Sequence, residues 1–187
     1  MRNAVIVSTA RTPIGKAFRG AFNATTPQAL AAHAIEHAIS RADIDPLEIS
    51  DCIIGAALQQ GHQGGNIGRQ AAVRAGLPVN VAGMSLDRQC ASGMMAIATA
   101  AKQIITDGID IAIGGGVESI SMVQTQKMRM GNDPFLSERK PEIYMSMLET
   151  AEVVAARYKV SREVQDEYAL QSQKRTHAAQ EAGRFDD

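Results

Sequence analysis

Apolar positions recur along this chain in two alternating rhythms. Short runs of β-branched and aliphatic residues predict strands at 3–9, 51–58, 81–86 and 110–113. Apolar residues spaced three and four apart predict helices at 27–41, 67–75 and 91–105. In the first helix Leu30, Ala31, Ala34, Ile35, Ala38 and Ile39 form the stripe, Thr26 suits the cap and Pro27 the first turn. Asn66 caps the second helix and Gly76 follows it, while Asp107-Gly108 closes the third. Strand–helix alternation of this kind implies right-handed crossovers and an α/β fold, its mainly parallel sheet covered by helices.

The third helix carries one charge, Lys102, in an otherwise Ala-, Met- and Ile-rich stretch. So wide an apolar surface needs cover on more than one side, from a second copy or from further sequence. The segment 121–139 lacks clear periodicity and reads as a long excursion. Two further helices follow at 146–158 and 162–182, the latter capped by Ser161 and ended by Gly183. These patterns divide the chain into an α/β domain at 1–118 and a helical domain at 119–187.

Composition narrows the function. The 187 residues are 45% apolar, enough for a sizeable core, and the net charge of −1 gives no footprint for nucleic acid or anionic lipid. No apolar run approaches the length of a membrane span. The first strand-like run, Ala4-Val5-Ile6-Val7, stands so near the initiator Met that no secretory signal is expected. Two cysteines are too few for a disulfide scaffold, so a reducing, cytoplasmic setting is expected.

Cys90 is the leading candidate for chemistry. It stands where an extended run meets the long apolar helix, in Arg88-Gln89-Cys90-Ala91-Ser92-Gly93. Unpaired N–H groups and the macrodipole at a helix N-terminus favour the reactive thiolate, although a free cysteine there is often only a small hydrophobe. Cys52, inside an apolar run, reads as core. His33-Ala34-Ile35-Glu36-His37 matches a zinc pattern, but both imidazoles fall on the polar helix face, so no metal site is expected. Gly114-Gly115-Gly116 lacks the spacing of a nucleotide fingerprint and suits a tight turn or close backbone approach. Glu118 and His62 are weaker candidates for a general base.

Five segments, in order, resemble the thiolase family. They are the opening Val5-Ile6-Val7-Ser8-Thr9-Ala10-Arg11-Thr12-Pro13, then Asn66-Ile67-Gly68-Arg69-Gln70, the nucleophile motif around Cys90, Gly114-Gly115-Gly116-Val117-Glu118-Ser119, and Tyr144-Met145-Ser146-Met147. Cys-Ala-Ser-Gly alone is shared with ketoacyl synthases; the ordered set is specific. The resemblance implies a βαβαβαββ half with a mixed, mainly parallel sheet, its last strand missing, plus part of an α-rich loop domain. It implies acyl transfer between coenzyme A thioesters as in fatty acid metabolism, with Cys90 as acyl carrier and its N–H as one oxyanion donor. Tyr144 and Met145 would lie on the substrate side. Acyl-CoA and CoA would be the partners, with no other cofactor, and the assembly a homodimer or tetramer. The family's Gly-His-Pro, Asn-Glu-Ala-Phe and Cys-x-Gly motifs do not occur here. The resemblance therefore also implies that this chain alone is inactive, or that it is a half that pairs with a complementary chain.

Overall fold

The computed structural model describes residues 2–126 and 131–186, which fall in two units divided at 129/130. In the first unit three parallel strands form one sheet in the order β2-β1-β3. They are β1 (Ile49–Gly55), β2 (Ala82–Leu86) and β3 (Ile111–Gly116). β1 is central because it can be buried on both faces: Cys52, Ile53, Ile54 and Gly55 are all buried.

Helices cover both faces. On one, α1 (Pro27–Ala42) and α2 (Ile67–Arg74) pack Ala31, Ile35, Ile67 and Ala71 onto Cys52 and Ile54. On the other, α3 (Ser92–Lys102) packs Ala96 and Ala100 onto Ile53. The caps read from the sequence are formed. Thr26 accepts from the Ala29 N–H and Asn66 from the Arg69 N–H, and Gly76 takes φ +76° after α2.

Three expectations change. Residues 3–9 form no strand: they join no ladder, and Val5, Ile6 and Val7 are exposed. The third helix ends at Lys102 as α-helix and continues as a π-helical turn over Gln103–Asp107, where the Gln103 amide donates to Asp51 (2.9 Å). Of the two expectations for the glycine run 114–116, a tight turn gives way to the end of β3 and the close backbone approach holds. There the missing side chains let α3 approach, since a Cβ on Gly114 would meet the Ile97 Cα at 2.8 Å.

Within the excursion expected at 121–139, residues 127–130 lie outside the described ones. On either side stand α4 (Ile120–Val123), in the first unit, and α5 (Pro134–Arg139), in the second. The second unit continues with α6 (Met147–Tyr158) and α7 (Arg162–Glu181). Ser146 and Glu149 form a reciprocal capping box on α6, and Ser161 caps α7.

Candidate active site around Cys90

The chain leaves β2 at Leu86 and turns sharply before α3 begins at Ser92. Short polar side chains build that turn. The Asp87 carboxylate accepts from the Gln89 N–H (2.7 Å). The Ser92 hydroxyl accepts from the Arg88 N–H (2.8 Å) and donates to the Gln89 carbonyl (2.6 Å). Ala91 and Ser92 return their N–H groups to the Arg88 and Gln89 carbonyls. Gln89 is thereby held at φ +50°, a left-handed conformation with a steric cost for a residue bearing a Cβ.

Cys90, the next residue, is exposed, whereas Cys52 is fully buried. Ala91 is the N-cap of α3, so Cys90 precedes the cap by one residue. Burial, and secondarily the Asp51 charge, push the Cys52 thiol up to about 12, which keeps it protonated and unreactive. The expectation of Cys52 as core matches this geometry, and Cys90 is the accessible thiol of the two.

A second network holds the loop after β1 against the segment after β3. Glu118 accepts from the Ala57 N–H (2.8 Å) and from the Gln63 side chain. Gln63, fully buried, also accepts from the Ser119 N–H and donates to the Leu58 carbonyl (3.0 Å). Glu118 thus accepts from backbone and amide donors that tie the loop after β1 to the segment after β3. His62 is exposed in the same loop, where its carbonyl accepts from Gln28 (2.7 Å).

His33 and His37 are exposed with ring centroids 4.4 Å apart. No group of three or more potential metal ligands occurs among the described residues. Tyr144 and Met145 belong to the second unit, where the Tyr144 hydroxyl accepts from the Asp133 N–H (2.9 Å) and Met145 is half-buried. No described helix is long and apolar enough to cross a membrane.

Sequence reasoning did not single out Gln63 or Gln89. Gln63 looks like any polar loop residue, and glutamine has no preference for the left-handed region that would betray Gln89.

Comparison with known proteins places these features in a family. The model for the thiolase N-terminal domain matches residues 4–187. The chain is 42% identical to a 3-ketoacyl-CoA thiolase of Bacillus subtilis, over 100% of its own length and 48% of that protein. It is 38% identical to an acetyl-CoA acetyltransferase of Cupriavidus necator, over 100% of its length and 50% of that protein. The crystal structure of the Bacillus anthracis acetyl-CoA acetyltransferase superposes with a TM-score of 0.84 at 36% identity, covering 100% of this chain and 50% of that one. The chain spans about half the length of the relatives it matches.

Proposed function

Because the chain belongs to the thiolase family, we propose that it is the nucleophile-bearing half of an acyltransferase that moves acyl groups between coenzyme A thioesters. The observation that carries this reading is the exposed Cys90 in a turn built by Asp87, Gln89 and Ser92. The Cys90 sulfur, as thiolate, attacks the thioester carbonyl carbon and forms a new C–S bond. Charge collects on the carbonyl oxygen, where the Cys90 N–H is a donor. Collapse breaks the bond to the coenzyme A sulfur, which leaves as a thiolate and takes up a proton. The acyl group stays on Cys90 until a second nucleophile removes it, in a ping-pong scheme. If that nucleophile is the acetyl-CoA carbanion, an acetyl group on Cys90 leaves as acetoacetyl-CoA. In the reverse, thiolytic direction Cys90 attacks the 3-keto carbon of a 3-ketoacyl-CoA. The C–C bond breaks to release acetyl-CoA as a carbanion that takes up a proton, and the thiol of CoA then removes the acyl group from Cys90.

Tyr144 and Met145 contact the substrate in this reading, acyl-CoA and CoA are its only small-molecule partners, and the assembly is a cytoplasmic homodimer or tetramer. Turnover needs an activating base for Cys90 and a group to take the proton of the attacking acetyl unit. The hydrogen bonds that build the turn around Cys90 join Asp87, Arg88, Gln89 and Ser92 and bring neither group to it. The isolated 187-residue chain is therefore proposed to lack turnover and to work with complementary sequence.

Incubation with acetyl-CoA followed by peptide mass spectrometry tests the first half-reaction. The peptide containing Cys90 should gain one acetyl group, and C90A should gain none. Labelling elsewhere, or equal labelling of C90A, would sink the assignment. A thiolysis rate from purified 1–187, free of any full-length enzyme, would refute the proposed inactivity.

A further inference from the structure

His33 and His37 stand four residues apart on the exposed face of α1, a spacing that brings Cβ atoms to within about 5–6 Å. Their rings meet, with centroids 4.4 Å apart and planes tilted by 60°. Among the described residues neither imidazole has a hydrogen-bond or ion-pair partner, so neither is committed elsewhere. On its other face α1 packs Ala31 and Ile35 against Cys52 and Ile54. The core thus holds the backbone that carries the pair.

The charges around the pair favour a cation. Glu36, next to His37, is exposed and adds a negative charge. Arg41, one turn beyond His37, donates its guanidinium to the Thr9 carbonyl (2.8 Å). The zinc pattern suggested by the spacing requires a third protein ligand, and no group of three occurs among the described residues. Two imidazoles with water serve a different class of ion. A metal–nitrogen bond of about 2.1 Å puts each ring centre about 3.2 Å from the metal. Two such rings at a right angle have centres about 4.5 Å apart, against about 5.2 Å at the tetrahedral angle of zinc. The 4.4 Å of His33 and His37 matches the right angle.

We infer that His33 and His37 form a two-imidazole clasp for one divalent transition-metal ion of the kind that takes ligands at right angles, such as Ni2+ or Cu2+. Water fills the remaining positions, because the clasp lies on the exposed face of α1. Both imidazoles bind as neutral ligands, so the ion displaces protons when it enters. Once bound, it closes a link across one turn of α1. Folded chain that holds the ion is favoured over unfolded chain, and the gain passes through Ala31 and Ile35 to the sheet. The clasp uses no residue of the Cys90 turn and stands or falls independently of the acyl-transfer reading.

The test titrates nickel chloride into the whole chain by calorimetry, with Cys90→Ala in every sample to remove the competing exposed thiol. One Ni2+ per chain should bind, and it should raise the thermal midpoint. His33→Gln and His37→Gln should each weaken binding by about tenfold or more, since either leaves one imidazole and loses the chelate. His62→Gln removes an exposed imidazole elsewhere and should change nothing. A double variant, His37→Ser with Ser40→His, keeps the histidine count but sets the two imidazoles about 10 Å apart along the helix. It should bind no better than the single variants. Zn2+ should bind more weakly than Ni2+. Absence of saturable Ni2+ binding, unchanged binding in either single variant, undiminished binding in the double variant, or tighter binding of Zn2+ overturns the proposal.

Discussion

A Cβ on Gly55, the last residue of β1, would lie 2.2 Å from the carbonyl carbon of Ser92, the first residue of α3. The central strand and α3 touch backbone to backbone there, two residues from Cys90. On the same line Gly116 approaches Gly93, where a Cβ would meet the Gly93 Cα at 3.0 Å. Residues without side chains on two strands thus set how deep the helix sits.

Gly55→Ala should push α3 off the sheet. The overlap involves backbone on both sides, so it cannot be relieved by a rotamer change. A loss of about 2–3 kcal/mol is expected, read from urea midpoints. Acetylation of Cys90 should fall more than stability alone accounts for, because Ser92 also builds the turn that presents the thiol.

The two cysteines should separate completely in reactivity. Under native conditions iodoacetamide should modify Cys90 and leave Cys52 intact, with both modified in denaturant; intact mass counts the adducts. Cys52 also predicts alkaline sensitivity. Its thiol is pushed from 9.0 up to about 12 in the folded chain. The native state therefore holds that proton longer than the unfolded state. Stability from this group is complete below pH 9.0 and is lost as pH rises through the folded value. Cys52→Ala should remove that part of the alkaline transition.

Gln63→Leu should cost about 1–3 kcal/mol, since it leaves the Ser119 N–H and the Glu118 carboxylate without their amide partner. If Gln63 only filled space, leucine would be neutral. Thermal denaturation of the variant distinguishes the two.

In the second unit, the Ser146 backbone N–H and then its hydroxyl hold the Glu149 carboxyl below its ordinary 4.5. A lowered acid contributes stability that is present above its unfolded value and lost as pH falls through the folded one. The helicity of α6 should therefore decline on acidification below pH 4.5, and less so in Glu149→Gln. Amide exchange at the start of α6 would report it.

What the sequence made legible was whatever local chemistry decides. Thr26, Asn66 and Ser161 are caps because their oxygens reach N–H groups three residues on, a geometry independent of the rest of the fold. The parallel sheet followed from alternation, as did the strand-to-helix junction in which Cys90 stands. The segment 3–9 misled because its composition is that of a strand, while strand formation also needs a neighbour; propensity supplies only half of a ladder. Gln103 lies at the start of a π-helical turn where its amide meets Asp51, a contact that spans 52 residues and leaves no mark in local periodicity. The left-handed Gln89 was hidden for a similar reason, since Asp87 and Ser92 impose its conformation from either side.

Neither α6 nor α7 contains a buried residue. Helices that bury nothing draw their persistence from caps and neighbouring side-chain pairs, such as Arg162 with Asp166. Such helices open far more often than a packed sheet does. In a cell, the quality-control proteases that sample open chain would meet this part of the polypeptide first, so its lifetime is set by whatever comes to lie against those two helices.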